Sequence, residues 1–157
     1  MSIKAFAAKI LAKYSHFQTQ KWANKPVAIQ EKAFQSLLRE AKNTQFGKDH
    51  NFSNIKSFED FAKQVPVRDY EQLKSYVDKV VAGESNVLWK GKPLYFAKTS
   101  GTTSGAKYIP LTAESMPFHI KAAKNAILSY ILETGKADFV NGKMIFLQGS
   151  PEMEEKN

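Results

Sequence analysis

Residues 99–107 read Thr-Ser-Gly-Thr-Thr-Ser-Gly-Ala-Lys, five hydroxyls, two glycines and a terminal lysine in one short stretch. Such a stretch can hold an anion. Glycine lets backbone N–H groups approach a phosphate closely and tolerates positive φ where a turn needs it. Hydroxyls add short donors, and Lys107 adds a mobile point charge. Apolar runs flank the stretch: Leu94 to Ala97 and Tyr108 to Leu111 each have the length and composition of a strand. A phosphate-holding loop between two strands is the expectation. It is not the loop of the nucleoside triphosphatases, which needs four residues between its glycines and a hydroxyl residue after its lysine. Here three residues separate Gly101 from Gly105, and Tyr108 follows Lys107. The competing reading is a polar surface turn, since Ser, Thr and Gly also dominate ordinary loops.

The elements that must position this loop can be read from periodicity and breakers. Ile3, Phe6, Ala7, Ile10, Leu11, Tyr14 and Phe17 recur at helical spacing with lysines between them. That pattern suits core packing and a membrane-surface helix equally. Pro26 opens a second helix whose apolar side carries Ile29, Ala33, Phe34, Leu37, Leu38 and Ala41, with Gly47 expected in a left-handed cap after it. Ser57 and Asp60 have capping-box spacing before a short helix that Pro66 stops. Asp69 begins another, closed near Gly83. Thr112 caps a long helix to about Thr134, with Gly135 past its end. Met144 to Leu147 is apolar at every position and reads as a strand covered on both faces. Strands separated by a long helix suggest parallel pairing, hence an α/β fold. Residues 1–92 are mainly helical, and 93–157 form a strand, loop, strand, helix and strand.

Composition is that of an ordinary globular protein, 43% hydrophobic and 24% charged over 157 residues, with no cysteine for disulfides or thiolate metal sites. The absence of thiols fits a reducing compartment, and a cytoplasmic location is expected. No apolar run has the length of a membrane span. The net charge is +8, and residues 1–30 carry five lysines and no acid. Such a basic stretch could meet anionic lipid or RNA without catalysis. With Arg39 and Arg68 the only arginines, specific nucleic-acid recognition is not expected.

Taken together, several stretches resemble one family, the Gretchen Hagen acyl-acid amido synthetases of the adenylate-forming superfamily. They are Ala41 to Gly47, Val65 to Glu71, Gly83-Glu84 with Val87 to Trp89, and above all Phe96 to Thr112. The loop differs from plant members in having one residue fewer between its second glycine and its lysine. The resemblance implies an ATP-dependent ligase acting in two steps. A carboxylic acid is adenylated with loss of pyrophosphate, and an amino acid amine then displaces AMP. It implies that Ser100, Gly101, Thr102 and Thr103 hold ATP β- and γ-phosphates, supported by Thr99, Ser104, Gly105 and Lys107. The helix after Thr112 would border the acyl-acid pocket, which makes His119 a secondary candidate. Mg²⁺ is implied as a cofactor, with its ligand and the adenine-binding stretch expected elsewhere in a longer chain. The expected object is therefore an incomplete N-terminal fragment of an acyl-adenylating domain. Its partners are ATP, the two substrates and the remaining chain. Alone it should be inactive, with apolar surface exposed around Met144 to Leu147.

Overall fold

The computed structural model describes residues 2–99, 106–143 and 145. Six α-helices precede or follow one β-hairpin: α1 (Ile3–Ala23), α2 (Pro26–Ala41), α3 (Gln45–Asp49), α4 (Phe58–Gln64), α5 (Tyr70–Val81), β1 (Tyr95–Thr99), β2 (Lys107–Leu111) and α6 (Met116–Thr134). Two compact units result, one of Met1–Ile29 with Pro117–Glu154 and one built on Gln30–Met116.

In the first unit, Ser2 caps α1 by accepting the Ala5 N–H, and its own hydroxyl donates to Asn141 Oδ1 at 2.6 Å. The helix packs through its small residues. Ala5, Ala8 and Ala12 cluster with Leu128 and Ile131 of α6 and with Ala137, and Ser15 Oγ donates to Asn125 Oδ1. The large apolar residues of α1 lie elsewhere: Ile3, Phe6, Ile10, Tyr14 and Phe17 are all more than half exposed. At 100° per residue, positions 5, 8 and 12 fall on a face away from 3, 6, 10, 14 and 17, so burying the alanines leaves the larger stripe in solvent. The periodicity marks a real stripe, and that stripe is not the packing face.

The second unit has an aromatic core. Leu38, Ala41, Phe52 and Ile55 are buried, with Phe34, Phe46, Phe61, Val65 and Trp89 packed on them. Phe34 meets Phe61, and Phe46 meets Phe52, edge to face at 5.7 and 5.9 Å between centroids. Capping follows the expected chemistry. Ser57 Oγ accepts the Asp60 N–H while Asp60 Oδ2 accepts the amides of Lys56 and Ser57. Asp69 forms the same reciprocal box with Gln72 at the start of α5. The expected cap at Thr112 differs: α6 begins at Met116, Thr112 and Ser115 exchange hydrogen bonds in the turn before it, and Gly135 takes φ 68° past its end.

Gly47 is not a left-handed cap. It lies inside α3, buried, because the carbonyl of Ala41 sits where its Cβ would be. That carbonyl is fixed there: it accepts both the N–H and the hydroxyl of Thr44, at 2.9 and 2.7 Å. Thr44 in turn caps α3 by accepting the Gly47 N–H. Close approach of backbone, not a positive φ, demands glycine here.

The described sheet is the antiparallel pair β1–β2, with Tyr95 opposite Leu111 and Thr99 opposite Lys107. The parallel pairing expected across the long helix concerns Met144 to Leu147 as its second strand, and β1 and β2, close in the chain, need no crossover and pair antiparallel. The strand expected at Met144 to Leu147 lies outside the described residues except for Ile145, which is exposed and in no strand.

Two outcomes follow for stability. Gly47→Ala should cost about 1–3 kcal/mol by overpacking against a tethered carbonyl, read as a lower urea midpoint. Hydrogen bonds from the Lys56 amide, then from Ser57, hold Asp60 below its ordinary carboxylate range. A depressed native value stabilises the fold above the ordinary aspartate range and is lost as pH falls through the native one. Asp60→Asn should therefore lower the urea midpoint at neutral pH, and the gap to the parent protein should narrow only as pH falls below the ordinary aspartate range.

Candidate functional site

The hairpin decides where the hydroxyl-rich stretch is held. Thr99 ends β1, Lys107 begins β2, and the two are paired across the ladder. Both ends of the stretch therefore emerge side by side from one sheet. Ser100, Gly101, Thr102, Thr103, Ser104 and Gly105 lie outside the described residues. Thr99 and Lys107 are both partly buried.

Helix α5 holds the β2 side of the site. Tyr70, its first residue, accepts the Tyr108 N–H on its hydroxyl at 2.9 Å. The Lys107 ammonium lies over the Tyr70 ring, 5.3 Å from its centroid. Phe96 and Tyr108 meet edge to face on the hairpin at 6.2 Å. The residue before Asp69 is anchored as well. Arg68 Nη1 donates to His50 Nε2 at 2.7 Å, and His50 Nδ1 donates to the Phe46 carbonyl at 2.8 Å. That pair of contacts selects the Nδ1–H tautomer of a buried imidazole stacked on Phe46. His50 is structural.

The segments that carry the family resemblance meet in space. The amides of Gln45 and Phe46, at the start of α3, donate to the carbonyls of Asn86 and Val87. Residues 41–47 and 83–89 are thus one joint, and 68–70 ties that joint and the hairpin together. Lys90 extends the same region, bridging Glu40 of α2 at 2.8 Å and Glu114 at 3.5 Å. Its hydrogen bond and charge hold the Glu40 carboxyl below the usual range, and Glu40 raises Lys90 in return.

A cavity of 20 Å³ lies among Val80, Val87, Trp89, Pro93, Pro110 and Thr112, room for a water and not for a substrate. On the other unit, His119 is exposed on α6, and an open apolar depression lies among Ala126, Ile127, Tyr130 and Phe139. His119 does not line it. Among the described residues no group of His, Asp or Glu converges to hold a metal ion. No described helix is long and apolar enough to cross a membrane.

The family profile described as the GH3 family N-terminal domain matches residues 16–157. The chain belongs to the GH3 family. It is 26% identical over 131 residues to the jasmonoyl–L-amino acid synthetase JAR4 of Nicotiana attenuata, covering 82% of this chain and 22% of that protein. It is 32% identical over 90 residues to the indole-3-acetic acid-amido synthetase GH3.15 of Arabidopsis thaliana, covering 56% and 15%. With the 4-substituted benzoates-glutamate ligase GH3.12 of Arabidopsis thaliana it shares 36% over 73 residues, covering 46% and 12%. The solved GH3.15 acyl acid amido synthetase superposes with a TM-score of 0.64 at 24% identity, over 71% of this chain and 20% of that one. That likeness establishes the fold. This GH3 chain spans about a fifth or less of the length of the relatives it matches.

Sequence reasoning singled out Lys107 and missed its support. The signal for Tyr70 was its place beside the Asp69 cap, where a first-turn side chain can project past the helix end. Arg68→Met removes the donor to a buried imidazole nitrogen while keeping an unbranched apolar stem. The expected cost is about 1–3 kcal/mol in urea unfolding, with α5 still capped by Asp69.

Proposed function

We propose that this chain is the N-terminal segment of an ATP-dependent ligase that adenylates a carboxylic acid and conjugates it to an amino acid. Residues 99–107 hold the β- and γ-phosphates. The observation that carries the reading is the pairing of Thr99 with Lys107, which fixes both ends of a hydroxyl-and-glycine stretch on one rigid hairpin. The matched relatives are named for joining jasmonoyl, indole-3-acetic or benzoate acids to amino acids. They share the reaction class and differ in the acid, so the proposal names the class alone.

In the first step a carboxylate oxygen attacks the α-phosphorus, and the bond to the bridging oxygen of the β-phosphate breaks. Negative charge grows on the departing pyrophosphate. Hydroxyls of Thr99, Ser100, Thr102, Thr103 and Ser104, amides at Gly101 and Gly105, and the Lys107 ammonium supply donors for it. Donors held in place before the reaction would stabilise that charge without reorganising. Mg²⁺, when bound, would neutralise part of the same charge. In the second step the amine adds to the acyl carbonyl and AMP leaves. The chemistry belongs to the full-length ligase, and the 157-residue chain alone should release no pyrophosphate.

The exposed stripe of α1, with Lys4 and Lys13 also exposed, favours a second reading, a basic helical module on anionic lipid. Binding to anionic vesicles that weakens steeply with salt would support it, and no vesicle binding at low salt would remove it.

The primary reading is tested in the full-length ligase by pyrophosphate release with ATP and a panel of carboxylic acids. Thr102→Ala should slow adenylation about 10²-fold, the typical cost of one anion-stabilising donor. An unchanged rate would remove the loop from the mechanism.

A further inference from the structure

We propose that Tyr70 is a positioning residue for nucleotide, acting through Lys107 and β2 and not by touching ATP. The inference rests on the phosphate-binding reading above. Tyr70 makes two separate contacts at the edge of the loop. Its hydroxyl accepts the Tyr108 N–H, one residue after Lys107, and its ring lies under the Lys107 ammonium. A lysine on a four-carbon stem has several rotamers, and only some reach a phosphate at the hairpin end. A ring face 5.3 Å from the ammonium restricts that choice without neutralising the charge, as a carboxylate would. The hydroxyl contact fixes the backbone from which the stem starts.

The support for Tyr70 is itself rigid. Asp69 and Gln72 close the capping box around the first turn of α5, and Arg68 is pinned to buried His50. Val77 and Val80 are buried further along the same helix, Val77 on the face that carries Tyr70. Tyr70 therefore brings the core of its unit to bear on the placement of one charge. Nothing in this arrangement is needed to close the hairpin, whose register is satisfied between β1 and β2.

The test is steady-state kinetics of the full-length ligase, with ATP and acid varied separately. Tyr70→Leu removes both contacts and should raise the KM for ATP about 10-fold, leaving the KM for the acid unchanged. Tyr70→Phe keeps the ring and should fall between. Tyr70→Met replaces Tyr70→Leu if the latter does not fold. The deciding measurement is the double variant with Lys107→Ala. If Tyr70 acts through Lys107, the Tyr70 effect on ATP should be largely lost in that background. Equal effects in both backgrounds, or a rise in both KM values together, would overturn the proposal. If Lys107→Ala and Thr102→Ala leave ATP use untouched, the phosphate-binding reading itself falls, a result distinct from failure at Tyr70 alone.

Discussion

Three consecutive side chains, Arg68, Asp69 and Tyr70, hold the second unit together by reaching in three directions. Arg68 engages His50 behind α3, Asp69 closes the N-terminus of α5, and Tyr70 fastens β2. The hairpin has only two strands, and an isolated hairpin is marginal in water. Its placement depends on being tied to something with a core. The short extended segment after Val65 makes this possible, because backbone outside a helix can point successive side chains to different sides.

A second joint complements the first. The start of α3 is satisfied by the loop carbonyls of Asn86 and Val87, and its interior glycine admits the end of α2. These contacts are between backbones, so they specify geometry more tightly than side-chain packing would. Trp89 beside them has an indole N–H with no acceptor among the described residues, a local cost of burying this corner.

Much of this was legible from local chemistry. The Ser57–Asp60 capping box follows from a short oxygen-bearing residue placed three before its partner, and the strands follow from apolar runs either side of the glycine-rich stretch. What failed was whatever depended on a distant neighbour. Gly47 resembles a helix stop in sequence, yet the reason for it is a carbonyl six residues earlier. The α1 stripe is a true periodicity, but periodicity cannot say which side meets a partner when the other side offers alanines that allow closer packing. For residues 99–107, the sequence showed the hydroxyls, glycines and lysine, and the pairing of Thr99 with Lys107 adds how their ends are held.

Tyr108 and Pro110 have a further consequence. Amides along a strand alternate in direction, and that of Tyr108 turns away from β1 to the Tyr70 hydroxyl. Pro110 lies two residues on, so its nitrogen faces the same outer side, where it has no hydrogen to give. The free margin of β2 is thus occupied at one position and silent at the next. What this margin still offers at Tyr108 and Pro110 is carbonyl oxygens, so a segment laid along it there would have to supply the donors.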